Sequence, residues 1–234
     1  MACQVQLFGA LQVATANGRV TITGEKAQGL LVFLLLWPRV PYPREALAER
    51  LWPDASPARS RRNLSDLLYR LKRALGDGWF LLEPKMVALN PALALSVDVW
   101  EFEQCIADGS PAALAQAVDL YTGDLTPELY DDWLIPRRVA LREQWLDALV
   151  QLGEHAERSQ QFEPALTVYR RLIAADPLRE EGWRGAMRCL ARLGRHATAL
   201  QHYAQLRQVL DAELSAPPPP KRLRWLNAYA ARAC

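Results

Sequence analysis

Apolar and polar positions alternate from Gln4 through Val13, as in a strand with one buried face, and Asn17-Gly18 marks a turn into Val20-Thr21-Ile22-Thr23. A strand pair is expected at the start of the chain. From Glu25 to Trp37 a nearly continuous apolar run with an acidic first turn predicts a buried helix, stopped by Pro38. Tyr42-Pro43 opens a short second helix over Arg44 to Leu51, with Ala46, Leu47, Leu51 and Trp52 as its apolar side and Pro53 as its end. Ser56-Pro57 starts a third helix that runs to Leu75 and closes at Gly76-Asp77-Gly78. Trp79 to Leu82 and Val87 to Leu89, joined by Glu83-Pro84-Lys85-Met86, predict a β-hairpin.

From Asp98 the pattern becomes helical almost throughout, with turns at Asp108-Gly109-Ser110-Pro111, Gly123-Asp124, Asp176-Pro177 and Gly194. An internal repeat is the strongest regularity. Gln161-Phe162-x-x-Ala165-Leu166-x-x-Tyr169-x-x-Leu172 aligns with Arg195-His196-x-x-Ala199-Leu200-x-x-Tyr203-x-x-Leu206, 34 residues further on. That period is the tetratricopeptide length, in which a small residue lets paired helices approach and an aromatic fills the gap between neighbouring pairs. Pro217 to Pro220 interrupt the helices with an extended spacer, and Lys221 to Ala231 read as a last short helix. The expected fold is mainly α with a small β component: an N-terminal domain over residues 1–97 and an all-α tetratricopeptide-like repeat domain over residues 98–234.

The 234 residues carry a net charge of +2, which by itself points to no charged partner. Divided at Asp98 the picture changes. Residues 1–97 hold twelve basic against seven acidic residues, and residues 98–234 hold sixteen against nineteen, so the halves carry +5 and −3. The longest apolar run, Leu30 to Trp37, is too short for a bilayer span, and Met1-Ala2-Cys3-Gln4 does not open a signal peptide, so a soluble, cytoplasmic chain is expected. Cys3, Cys105, Cys189 and Cys234 lie far apart, as isolated small apolar residues do. His155, His196 and His202 have no nucleophile at motif spacing, and no phosphate-binding glycine loop is present. Catalytic residues, cofactor and metal are all expected to be none, and the chain is read as not an enzyme. The adjacent acids Asp131-Asp132 and Glu180-Glu181 point about 100° apart on a helix and read as surface charge. Trp133, Trp145, Trp183 and Trp225 read as packing residues.

Six basic residues fall between Arg59 and Arg73, against the single acid Asp66. On a helical wheel centred on Arg62, Tyr69, Arg73 and Asp66 fall within about 40° of it, while Leu64, Leu67, Leu68, Leu71 and Leu75 gather at roughly 140° to 240°. Ser65 and Lys72 flank one edge of the polar face and Arg70 the other. A helix with this face fits the DNA major groove, where guanidinium groups read guanine edges and flanking cations meet phosphates. The order of buried helix, short helix, basic helix and hairpin is that of a winged helix-turn-helix, with the hairpin as wing.

Asn63-Leu64-x-x-Leu67-Leu68-Tyr69-Arg70-Leu71-Lys72-Arg73-Ala74-Leu75-Gly76 resembles the recognition helix of OmpR-type winged-helix regulators, especially the kind found in Streptomyces antibiotic regulatory proteins. Val97-Asp98-x-x-x-Phe102-Glu103, Leu120-Tyr121-x-Gly123-Asp124-Leu125, Tyr130-Asp131-Asp132-Trp133 and Asp176-Pro177-Leu178-Arg179-Glu180-Glu181 are similar to the bacterial transcriptional activator domain that follows it in those proteins. The resemblance runs from Val5 to about Tyr229.

This resemblance implies a transcriptional activator that binds tandem repeats of double-stranded DNA at a promoter. The helical domain would support self-association on DNA and contact with RNA polymerase. By position, Arg62, Asp66, Tyr69, Arg70 and Arg73 would face the groove, with Ser65 and Lys72 beside them. Arg59 and Arg61 would meet phosphates, and Lys85 would be the wing residue. Three features depart from the family pattern. The wing has Glu83-Pro84-Lys85-Met86 where an Arg-Gly-x-Gly-Tyr-like stretch is usual, and Asp66 sits within the reading face, where it would accept from cytosine or orient Arg62 or Arg70. No receiver domain is expected ahead of the winged helix. Longer members continue into an ATPase and sensor repeats, so either a short regulator or the front of a longer one is expected. The alternative reading is a protein-interaction adaptor, or the N-terminal signalling module of a larger ATPase-containing regulator, without direct DNA reading.

Overall fold

The alternation at the start of the chain builds two strands instead of one, because Gly9 turns the backbone with a φ of +81°. Only glycine adopts such a φ without steric cost, and the period-2 pattern resumes in register on the far side of the turn. The computed structural model describes residues 3–38 and 40–214. The proline run and the helix expected over Lys221 to Ala231 lie outside the described residues, as do Trp225 and Cys234.

In chain order the elements are β1 (Cys3–Gln6), β2 (Gln12–Thr15), β3 (Gly18–Val20), α1 (Glu25–Leu36), β4 (Tyr42–Pro43), α2 (Arg44–Leu51), α3 (Pro57–Leu75), β5 (Phe80–Leu82), β6 (Met86–Leu89), β7 (Leu95–Val97), α4 (Asp98–Asp108), α5 (Pro111–Leu120), α6 (Leu134–Arg158), α7 (Phe162–Ala175), α8 (Glu180–Arg192) and α9 (His196–Leu214). They form two compact units. One comprises the chain through Gln104 with Leu120–Leu141, and the other Cys105–Asp119 with the chain from Arg142 onward.

In the first unit β1 pairs antiparallel with β2, Val5 opposite Val13, and parallel with β7, Val5 opposite Val97, in the order β3-β2-β1-β7. Thr21, Ile22 and Thr23, expected in a strand, lie beyond β3. Helix α1 is buried from Gly29 through Leu36, matching its all-round hydrophobicity. Leu47, Ala48 and Leu51 of α2 meet the leucine stripe of α3, and α3 also packs on α1. The hairpin β5–β6 adds β4 at its other edge, with Tyr42 opposite Val87 and Phe80 opposite Leu89. This is a winged helix-turn-helix with a four-stranded sheet, three strands of which precede it in the chain and one, β7, follows the wing.

Two polar devices close this unit. Asp98 accepts backbone N–H groups of Leu7 and Phe8 at 2.9 Å and of Val99 at 2.8 Å. Burial nevertheless holds its carboxyl above the usual range, because it outweighs those bonds. Arg138 donates to the carbonyls of Leu125 at 2.7 Å, Leu129 at 2.5 Å and Thr126, fixing the loop whose Leu125 bridges to Phe8. Trp133 packs edge-on to Phe33 at 5.3 Å.

In the second unit α7, α8 and α9 pack in succession, and the 34-residue repeat falls on α7 and α9. Ala165, Leu166, Tyr169 and Leu172 are buried, as are Ala199 and Leu206 in the second copy, so the repeated positions form the helix-packing side. Trp183 is buried and donates to the Pro177 carbonyl at 2.9 Å, tying the Asp176-Pro177 turn to α8. The architecture is mainly α with a small β component, a winged helix followed by tetratricopeptide-like helices.

Candidate nucleic-acid interface

Pro57 occupies the first turn of α3, where its missing N–H is not needed, and Gly76 ends the helix with a φ of +103° while its N–H reaches the Lys72 carbonyl. The helix between these stops is nineteen residues long, Pro57 included, enough for one whole face to leave the core. Ser60, Leu64, Leu67, Leu68, Leu71 and Leu75 are buried. Arg59, Arg61, Arg62, Ser65, Asp66, Tyr69, Arg70 and Arg73 are exposed, and Lys72 is half-buried. Tyr69 is 64% exposed, on the side of α3 opposite the leucine stripe.

Intramolecular partners divide these residues into two groups. Arg61 pairs with Glu45 of α2 at 3.0 Å, and Lys72 with Asp77 at 3.2 Å. Arg70 donates to the Thr23 carbonyl at 3.1 Å, which anchors the link from β3 to α1. Ser65 donates to the Arg61 carbonyl at 3.0 Å and accepts from Arg44 at 3.0 Å. By contrast, Arg59, Arg62, Asp66 and Arg73 have no ion-pair or side-chain hydrogen-bond partner among the described residues. Asp66 therefore orients neither Arg62 nor Arg70 within the free chain.

The wing is joined directly to α2. Glu83 N–H bonds to the Met86 carbonyl at 3.0 Å, closing the hairpin turn, and the Arg44 N–H bonds to the Lys85 carbonyl at 2.9 Å. Lys85 is exposed beside the start of α2. On the edge strand β5, Leu81 and Leu82 are 47% and 39% exposed, so this wing presents apolar side chains as well as its lysine.

Arg44 did not stand out in the sequence, yet it reaches the middle of α3. A signal was present. A cation at the first position of a helix opposes the macrodipole, and such a placement asks for another reason.

Among the described residues no group of three or more His, Cys, Asp or Glu is gathered as for a metal ion, and no helix is long and apolar enough to cross a membrane. Cys3, Cys105 and Cys189 are buried and unbridged.

Residues 97–228 match the family model of the bacterial transcriptional activator domain. The chain is 23% identical to Transcriptional regulatory protein MoaR1 of Mycobacterium tuberculosis, over 94% of this chain and 76% of that protein. It is 28% identical to Regulatory protein AfsR of Streptomyces coelicolor, over 91% of this chain but only 23% of AfsR. Among solved structures, Mycobacterium tuberculosis EmbR in complex with a low-affinity phosphopeptide superimposes with a TM-score of 0.79 at 20% identity, covering 99% of this chain and 64% of that one. At that identity the likeness concerns the fold. The chain belongs to the family of transcriptional regulators built on the bacterial transcriptional activator domain, of the Streptomyces antibiotic regulatory protein type.

Proposed function

We propose that this regulator is a cytoplasmic transcriptional activator that reads promoter DNA with α3 laid in the major groove. Residues 1–97 would bind DNA, and residues 98–234 would mediate self-association on tandem repeats and contact RNA polymerase. The observation that carries the reading is the exposed face of Arg62, Tyr69 and Arg73, which lies opposite a fully buried leucine stripe and has no internal charge partner for its arginines among the described residues. In a free chain such a face costs charge repulsion with nothing gained, whereas in the groove its guanidinium groups meet base edges and its tyrosine stacks or packs on the backbone. Arg59, in the first turn of α3, and Lys85, exposed in the wing turn beside Arg44, add to the cationic surface. Asp66 is suited to accept from a cytosine N4 amino group.

The test is selection of the purified chain against random double-stranded DNA. A motif in two tandem copies is expected. The Arg62→Ala/Arg73→Ala double variant should lose the selected motif while retaining helical content. Selection that returns no enriched motif from the wild-type chain sinks this reading.

A further inference from the structure

Arg44 and Glu45 are neighbours at the start of α2, and their side chains leave the helix about 100° apart. They consequently engage α3 one turn apart. Glu45 takes Arg61, and Arg44 takes Ser65, four residues further on. The two engagements have opposite electrostatic results. The Glu45–Arg61 pair is a neutral unit, and a phosphate oxygen that approached Arg61 would meet a carboxylate 3.0 Å from its guanidinium. Arg44 spends one N–H on a neutral hydroxyl and has no carboxylate partner among the described residues. Its remaining donors keep the full positive charge, and the planar group is held in orientation by a Ser65 that is itself fixed on the Arg61 carbonyl. The backbone N–H of Arg44 also holds the wing turn through the Lys85 carbonyl, so α2, α3 and the wing meet at this residue.

We propose that this dipeptide sets the number of phosphates the winged helix contacts: Arg44 supplies one contact, and Glu45 withholds another by holding the charged Arg61 guanidinium in an ion pair. The proposal rests on the DNA-reading function proposed above and adds to it a residue outside the recognition helix and an acidic restraint on non-specific affinity. Glu45 lowers binding to every sequence alike, so that a larger share of the affinity comes from base contacts.

Salt titration of DNA binding reads the phosphate count directly, since each contact contributes a slope of about −0.9 in the log–log plot. The full-length wild-type chain is compared on its selected site and on a scrambled duplex. Arg44→Gln should make the slope shallower by about 0.9 on both duplexes, and Arg44→Lys should restore it. Glu45→Gln should make the slope steeper by about 0.9 on both, and adding Arg61→Ala should cancel the change. Because Glu49 lines the same cleft between α2 and α3, Glu45→Gln/Glu49→Gln is included to remove a substitute partner. Circular dichroism melts confirm that each variant folds, with Arg44→Met as the alternative if Arg44→Gln does not. The proposal is overturned if the Arg44 variant keeps the wild-type slope or if the Glu45/Glu49 variant does. Wild-type chain that binds neither duplex overturns the DNA-reading function itself, whereas salt-dependent binding with unmoved slopes overturns the present proposal alone.

Discussion

The ring of Tyr169 occupies the space in which a side chain on Gly185 would begin: a Cβ built there lies 2.3 Å from the ring, and one on Gly153 lies 2.6 Å from it. The tyrosine of the repeat is thus wedged between α6 and α8 where both helices present glycine. A methyl group at either position must push apart backbone or a buried aromatic. Gly185→Ala is therefore expected to destabilise the protein by about 1–3 kcal/mol, although alanine is the better helix former. Gly78→Ala, which points into open space, should stay within roughly 0.5 kcal/mol of wild type. Urea unfolding of the two variants makes the comparison, and equal midpoints would contradict the wedge.

The same tyrosine donates its hydroxyl to Glu157 at 2.9 Å, and Arg188 pairs with that carboxylate at 2.7 Å. Burial pushes the Glu157 carboxyl up, but the bonds from Arg188 and Tyr169 and the arginine charge outweigh it and hold the carboxyl below its usual value of 4.5. The nearby Cys189 thiol is pushed up to about 12 by burial and by the Glu157 charge, so it stays protonated as a weak donor. A depressed carboxylate contributes stability that is present above its unfolded pKa and is lost as pH falls through the folded one. Stability should therefore decline as pH drops from about 4.5, and Glu157→Gln should flatten that decline while costing about 1–3 kcal/mol at neutral pH. Chemical denaturation repeated across the acid range tests both parts.

Arg138 offers a prediction about the other unit. Its planar group holds three carbonyls of the loop Leu125–Leu129, and Thr126 in that loop returns an N–H to the Leu7 carbonyl at 2.8 Å. Lysine keeps the charge but cannot reproduce the fork. Arg138→Lys should cost about 2–4 kcal/mol. Hydrogen exchange should show it locally, as faster exchange at the Thr126 and Gly9 amides than at the α1 core.

Much of this fold was legible because local signals agreed. Pro43 before Arg44, Pro57 inside α3 and Gly76 after it delimit the two helices at the residues observed, and the leucine stripe of α3 fixes which side faces out. The 34-residue repeat was visible for the same reason, since Ala165 and Tyr169 recur as Ala199 and Tyr203. What stayed hidden depends on partners distant in sequence. The parallel pairing of Leu95–Val97 with β1 leaves too short a run to read as a strand, and the return of Leu125 to Phe8 has no periodicity at all. At the interface, the wheel placed arginines on a face but carried no information about Glu45, Thr23 or Asp77, which decide which of those charges are already engaged.

That division of engaged from unengaged arginines separates Arg70 from Arg62. The Arg70 guanidinium holds the Thr23 carbonyl at 3.1 Å, next to Gly24, whose φ of +93° turns the chain into α1. Arg62 has no such duty. Removing Arg70 should therefore lower thermal stability, by about 0.5–1.5 kcal/mol, as loss of a partly exposed hydrogen bond to a charged donor does. Arg62→Ala should leave stability within about 0.5 kcal/mol of wild type and should act on DNA alone, with a loss of about 1–3 kcal/mol of discrimination at one base pair. Measuring melting temperature and base preference on both single variants gives a two-by-two comparison. If Arg62→Ala destabilises the fold as much as Arg70→Ala does, the arginines of α3 are not divided in this way, and the reading face must be redrawn from the DNA side.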